Sequence, residues 1–84
     1  MTYLIVDDEP LAHDVILNYA AEFDFLELAH QSHNAMDAIE WLEKNSVDVI
    51  FLDINMPKIS GISMLKLLRE KPQVIISSAH EEYA

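Results

Sequence analysis

Short apolar runs that end at acidic residues constrain the fold of this chain more than any other feature. Tyr3–Val6 is followed by Asp7 and Asp8, and Val49–Leu52 is followed by Asp53. Apolar runs of this length are typical of parallel strands covered on both faces, and ligands of such sheets bind beyond the carboxyl ends of the strands. We therefore expect the three aspartates to meet at one edge of a parallel sheet.

Segments with helical spacing alternate with these runs, and this alternation predicts βαβ units and an α/β fold. The first helix is predicted at about residues 9 to 22, with Pro10 in its first turn and Asp8 as its cap. The predicted apolar stripe of this helix comprises Leu11, Ala12, Val15, Ile16, Tyr19 and Ala20.

The next segments continue the alternation. Residues 25–29 mix polar and apolar positions, which is typical of a strand with one exposed side, so we place this second strand at the sheet edge. Asn34 is predicted to cap a second helix. The apolar face of that helix comprises Ala35, Ala38, Ile39 and Leu42.

Beyond the second helix, residues 48–52 are predicted as the third strand and residues 54–59, which include a proline, as a loop. Ser60 is predicted to cap a third helix, and residues 74–76 to form a fourth strand that ends at Ser77 and Ser78. The apolar stripe of the third helix comprises Ile62, Leu65 and Leu68. Four histidines lack the spacing of metal ligands and are interpreted as surface residues: His13, His30, His33 and His80.

Composition limits the kinds of protein that the chain can be. Its 84 residues make one small domain, and a hydrophobic content of 51% excludes a disordered chain. No apolar run approaches the roughly 20 residues of a membrane span, and the start lacks the basic segment of a signal peptide. The chain has no cysteine, which suits the cytoplasm. A formal charge of −10 argues against direct nucleic-acid binding and favours cations or basic proteins as partners.

The acidic cluster predicts a specific chemistry. Three adjacent carboxylates repel one another unless a divalent cation neutralises them, and carboxylate oxygens with water completing the shell favour Mg²⁺. Asp53 is then a candidate nucleophile that can hold a phosphoryl group as an acyl phosphate, and Ser78 can offer its hydroxyl to a phosphoryl oxygen. Aspartates after strands also serve as helix caps, and serine and asparagine are common loop residues. Purely structural roles for the aspartates and for Ser77, Ser78 and Asn55 therefore stay open.

The same residues resemble a known family over essentially the whole chain. The shared positions are Asp7-Asp8, Asp53, Asn55, Met56-Pro57, Gly61 and Ser78-Ala79. In type and spacing they are similar to the receiver domain of two-component response regulators. The stretch from Asp53 to Gly61, together with Glu82-Tyr83-Ala84, resembles receivers that are attached to LytTR-type DNA-binding domains.

This resemblance implies a flavodoxin-like, doubly wound parallel sheet with strand order 2-1-3-4, and a phosphoacceptor role for Asp53. It also implies that the side chains of Asp8 and Asp53 bind Mg²⁺, together with the backbone carbonyl of Asn55. Asp7 then holds a metal-bound water, and Ser78 is the switch hydroxyl. The implied partner is a histidine kinase. We expect the chain itself to be cytoplasmic and to have no membrane partner.

Receivers of this family continue beyond the fourth strand. Residues 1–84 are therefore interpreted as a single partial receiver domain that lacks the fourth helix, the fifth strand and the fifth helix. The family's phosphate-contacting lysine and its aromatic switch residue belong to the missing part, and no residue here replaces that lysine. An uncovered fourth strand predicts self-association, most simply as a homodimer.

Three functions follow from these observations. The first, which we expect, is a non-enzymatic signalling module that accepts phosphate on Asp53 and relays the signal to an effector domain outside these residues. The second is an interaction or oligomerisation fragment without phosphotransfer activity. The third is a Mg²⁺-dependent phosphohydrolase of the haloacid dehalogenase type, whose usual second aspartate is replaced here by Asn55.

Overall fold

The computed structural model describes residues 1–53, 63, 64, 66 and 72–77, with only the backbone at 76 and 77. The described elements are β1 (Thr2–Val6), α1 (Pro10–Ala20), β2 (Glu27–Ser32), α2 (Ala35–Lys44), β3 (Val49–Asp53) and β4 (Gln73–Ser77). Residues 63, 64 and 66 are also helical, in the part of the chain where the third helix is predicted. The predicted loop, the Ser60 cap and the stripe residues Ile62, Leu65 and Leu68 lie outside the described residues.

The strands within the described residues form one four-stranded sheet with the order β2-β1-β3-β4. Every neighbouring pair in this sheet is parallel. The α/β class and the predicted strand order are therefore confirmed. The carboxyl ends of β1, β3 and β4 lie side by side, because Val6 pairs with Leu52 and Asp53 pairs with Ser77.

The two faces of the sheet support two separate cores. On one face α2 and Met64 pack over a cluster that includes Leu4, Val6, Ile50 and Leu52. On the other face α1 packs over Tyr3, Ile5, Val49 and Phe51, mainly through Ile16 and Ala20. Successive residues of a strand alternate between these faces, and both faces are covered, so Tyr3–Val6 of β1 and Val49–Leu52 of β3 are apolar throughout.

The buried face of α1 differs from the predicted one. His13, Ile16 and Ala20 face the sheet. Three members of the predicted stripe are exposed instead: Leu11 at 70%, Val15 at 68% and Tyr19 at 54%. The helix is apolar on two adjacent faces, and periodicity alone does not select which of them meets the sheet. His13 is thus a core residue, and its interpretation as a surface histidine is wrong.

The second strand is at the sheet edge, as predicted, but it begins later and extends further than residues 25–29. Phe25 precedes the strand, and its carbonyl accepts a hydrogen bond from the N-terminal ammonium at 2.7 Å. Pairing with β1 sets the register, because Thr2 pairs with Glu27 and Val6 pairs with Ser32. The strand therefore continues to the same level as the end of β1.

Side chains connect β2 to α2. The Nε2 atom of His30 lies 3.1 Å from Asp37 Oδ2, and the His30 ring stacks on Trp41 with the ring centroids 5.1 Å apart. Asn34 caps α2 as predicted, because its side-chain oxygen accepts the Asp37 N–H at 2.7 Å. No helix among the described residues has the length and apolar character needed to cross a membrane.

Candidate metal centre

The structure brings the three predicted aspartates together. Asp7 follows β1 directly and Asp53 ends β3, and the pairing of Val6 with Leu52 puts them at the same level of the sheet. Asp8 is the next residue of the chain. One carboxylate oxygen from each of the three residues lies within 4.8 Å of the others. The prediction that these acids converge at one edge is therefore confirmed.

Asp7 is the most deeply buried member of this acidic cluster. It is 1% exposed and Asp53 is 3% exposed, whereas Asp8 is open to solvent. One carboxylate oxygen of Asp7, Oδ1, accepts the backbone N–H of Glu9 at 2.9 Å. The other, Oδ2, is buried and has no hydrogen-bond partner among the described residues. A buried carboxylate oxygen without a donor is unfavourable, so the site favours a positively charged ligand there.

Electrostatics leads to the same conclusion. Burial raises the pKa of Asp7 above its ordinary value, and the negative charges of Asp53 and Asp8 raise it further. The hydrogen bond from Glu9 and the nearby His13 act in the opposite direction and do not reverse the rise. Neutralising this carboxylate, by a proton or by a cation, therefore stabilises the folded site.

The predicted helix-capping role of Asp8 is not observed. The residue in the N-cap position of α1 is Glu9, which makes no side-chain capping bond, and Pro10 begins the helix. The Asp8 carboxylate instead contributes an oxygen to the acidic cluster. Its exposure leaves that oxygen accessible from solvent.

The donor set fits a small hard cation. All three side chains are carboxylates, the ligand type that Mg²⁺ and Ca²⁺ prefer. Three protein oxygens leave room for water in the octahedral shell of Mg²⁺, whereas Ca²⁺ takes more protein ligands. Asn55 and Ser78, the other two predicted site residues, lie outside the described residues. Ser77, the residue before Ser78, pairs with Asp53 in the sheet.

Sequence reasoning missed one residue beside this cluster. The buried His13 ring places Nε2 at 2.9 Å from the Asp7 carbonyl oxygen. A signal for this residue was present, because positions 13, 16, 17 and 20 have helical spacing and only the first of them is polar. A polar side chain on the stripe of the helix that follows the acids is a candidate neighbour of the site.

A parallel α/β sheet of this order, with three acids at the carboxyl ends of β1 and β3, is the arrangement that the sequence resemblance implies. The family model for the response regulator receiver domain matches residues 3–84. The chain therefore belongs to the receiver domain family of two-component response regulators.

Known relatives agree with this assignment. The chain is 40% identical over 83 residues to the transcriptional regulatory protein BtsR of Escherichia coli K12. It is 34% identical over 87 residues to the transcriptional regulatory protein LytR of Staphylococcus aureus N315. These relatives confirm the resemblance to LytTR-type regulators. The matches cover 96% and 100% of the chain but only 35% of either regulator.

Solved structures also match. The response regulator TrrA from Thermotoga maritima, in complex with Mg²⁺-BeF, superposes with a TM-score of 0.80 at 28% identity. This match covers 98% of the chain and 72% of TrrA. The fold is therefore that of a receiver domain.

Proposed function

We propose that this receiver domain accepts a phosphoryl group on Asp53 while Mg²⁺ is bound by the side chains of Asp8 and Asp53 and the backbone carbonyl of Asn55. Asp7 holds a metal-bound water. The observation that carries the proposal is the cluster of three carboxylates, whose oxygens lie within 4.8 Å of one another at the ends of β1 and β3. The Mg²⁺-BeF complex of TrrA, a structural relative, supports it.

Each residue has a distinct part in this reaction. A carboxylate oxygen of Asp53 attacks the phosphorus of a phosphohistidine on the kinase, forming an O–P bond while the P–N bond breaks. The released imidazole takes up a proton. The metal, when bound, reduces the repulsion between the anionic nucleophile and the phosphoryl oxygens. Ser78 donates its hydroxyl to one of those oxygens.

The partner that this chemistry requires is a histidine kinase. The cluster contributes three of the fifteen acidic residues of the chain, and the formal charge of −10 disfavours direct contact with nucleic acid. Two relatives are named transcriptional regulators, and the chain spans 35% of each. We infer that the domain is a non-enzymatic relay, and that any DNA binding belongs to a separate effector domain.

A magnesium titration tests the metal part of the proposal. Two-dimensional amide NMR spectra of the wild-type chain and of Asp53→Asn are recorded at increasing Mg²⁺ concentration. The expected result is a saturable shift of amides at residues 7, 8 and 53, much weaker in the variant because one metal ligand is lost. Folded protein with no saturable shift, or the same shift in both proteins, would contradict the proposal.

A second candidate function, self-association, is favoured by one observation. Leu11, Val15 and Tyr19 form an exposed apolar face of α1. Ile75 of β4, which pairs with Phe51 and so shares the α1 side of the sheet, is 48% exposed. Among the described strands β4 is an edge strand. Burial of this α1–β4 surface between two copies, with β4 pairing across the interface, would form the homodimer that the sequence predicts.

A further inference from the structure

His13 has an unusual environment for a histidine. It is 2% exposed and occupies the first buried position of α1, where the apolar stripe that continues at Ile16 and Ala20 begins. Its ring stacks on that of His33, with centroids 4.2 Å apart and 15° between the planes. A buried polar side chain is unfavourable unless it is hydrogen-bonded, so the contacts of its two nitrogens decide what it does.

Both ring nitrogens of His13 have partners. The carbonyl of Asp7 can only accept, so Nε2 carries a proton and donates to it across 2.9 Å. Nδ1 lies 2.9 Å from the side-chain amide oxygen of Gln31. A doubly protonated ring donates to that oxygen, and a neutral ring accepts from the amide NH₂ after the amide rotates. The bridge is therefore available in both charge states of the ring.

This bridge joins the ends of two neighbouring strands. Gln31 belongs to β2 and pairs with Ile5 of β1, two residues before Asp7. The N–H of Asp7 donates to the Ser32 carbonyl at 3.0 Å, and its own carbonyl accepts from His13. Both backbone polar groups of Asp7 are thus held by groups outside the acidic cluster.

Within the described part of the chain, the side chain of Asp7 is held by a hydrogen bond at only one of its two carboxylate oxygens. The Glu9 N–H fixes Oδ1, while Oδ2 has no hydrogen-bond partner among the described residues. We propose that His13 is a positioning residue, which locks the Asp7 backbone so that this side chain is aligned with Asp8 and Asp53 for a divalent cation. This inference rests on the proposed function, since it concerns the same acidic cluster.

A purely structural role for His13 makes a different prediction. If the residue only fills the core, its replacement lowers stability in the same way as any buried residue of α1. If it positions Asp7, its replacement also weakens Mg²⁺ binding, because groups that orient metal ligands typically contribute about 10- to 100-fold in metal affinity. The two roles are therefore separated by comparing affinity with thermal stability.

The experiment uses three variants of the full chain. His13→Leu removes both hydrogen bonds at similar volume, and His13→Gln keeps an N–H donor. Ile16→Ala is the matched control, because Ile16 is also buried on α1, at 7% exposure, and packs in the core under that helix. Two properties are measured for each protein as a whole: its melting temperature and its Mg²⁺ affinity, the latter by amide NMR. The Glu9 amide is followed without metal, by its chemical shift and its hydrogen exchange.

The proposal predicts that His13→Leu weakens Mg²⁺ affinity by about tenfold or more and speeds exchange at the Glu9 amide, whose acceptor is Asp7 Oδ1. His13→Gln should partly restore the Mg²⁺ affinity and the slow exchange at the Glu9 amide. Ile16→Ala should lower the melting temperature but leave the Mg²⁺ affinity and the exchange rate at the Glu9 amide at wild-type values. Equal behaviour of His13→Leu and Ile16→Ala would overturn the inference. If the wild-type protein does not bind Mg²⁺, the proposed function fails. The metal-free exchange and chemical shift of the Glu9 amide in the variants then still decide whether His13 positions Asp7.

Discussion

Asp7 combines deep burial with a negative charge. It is 1% exposed, one of its carboxylate oxygens has no hydrogen-bond partner among the described residues, and two other carboxylates lie close by. A buried, charged carboxylate lowers the stability of the fold, and such groups are typical of functional sites. In the proposed function the use of this charge is cation binding, so the stability of the metal-free fold and the affinity for Mg²⁺ should oppose each other at this residue.

The first prediction concerns Asp7→Asn in Mg²⁺-free buffer. At neutral pH the variant should be more stable than wild type by about 0.5 to 2 kcal/mol, because the amide keeps the acceptor for Glu9 and removes the buried charge. Chemical denaturation at pH 7 measures this difference. In saturating Mg²⁺ the order should reverse, since only the wild-type carboxylate retains its attraction for the cation.

The pH dependence of that difference is a second prediction. The pKa of Asp7 in the folded protein is raised above its ordinary value of 3.8. Protonation of Asp7 therefore stabilises the fold fully below that ordinary value, and this contribution is lost as pH rises through the folded-state pKa. Asn cannot ionise, so the advantage of Asp7→Asn should shrink as pH falls towards 3.8. A stability advantage of Asp7→Asn that stays constant from neutral pH down to 3.8 would contradict the conclusion that Asp7 carries a buried charge at neutral pH.

Much of the site could be predicted at the scale of single residues. The convergence of Asp7, Asp8 and Asp53 follows from strand direction alone, because each comes at the carboxyl end of an apolar run. His13 could be predicted only in part: its place on the helical stripe of positions 13, 16, 17 and 20 indicates a buried position, but its contact is with a backbone carbonyl, which no residue type in the sequence marks. The capping role of Asp8 was wrong because Glu9 occupies the position that Asp8 was expected to fill.

At the scale of elements, α2 shows how a cap starts a helix. Asn34 has extended backbone and its side chain accepts the Asp37 N–H, so a free amide of the first turn is satisfied. Asn34→Ala should lower the free energy of unfolding by about 1 kcal/mol, measured by denaturant titration. Asn34→Asp retains an acceptor and is the control, with an expected change of only a few tenths of that amount. Equal losses in the two variants would show that the cap bond is not the stabilising contact.

The elements also show where sequence patterns stop being informative. The cap and buried face of α2 were predicted correctly, because its apolar residues lie on one side and its charged residues on the other. The buried face of α1 was not, because Leu11, Val15 and Tyr19 form a second apolar face beside the one that meets the sheet. The sequence pattern predicts β2 at residues 25–29, which is too early, since the limits of the strand are set by pairing with β1 rather than by its own composition.

At the scale of the whole molecule, the exposed α1–β4 surface predicts self-association. Val15→Glu should reduce the proportion of dimer in sedimentation velocity at high protein concentration, because it places a charge in the centre of the exposed face of α1. Leu28→Glu is the matched control, since Leu28 is 42% exposed and lies on β2, at the opposite edge of the described sheet. A monomeric wild-type chain at high concentration, or equal effects of the two variants, would contradict this prediction.

The proposed function depends above all on one step, the Mg²⁺-dependent transfer of a phosphoryl group to Asp53. Its most direct test is the intact mass of the chain after incubation with phosphoramidate, a donor with a P–N bond, in the presence and absence of Mg²⁺. We expect a mass gain of one phosphoryl group only with Mg²⁺, absent in Asp53→Asn and reversed by hydroxylamine, which cleaves acyl phosphates. No gain in folded wild-type protein with Mg²⁺, or the same gain in Asp53→Asn, would contradict the proposed function.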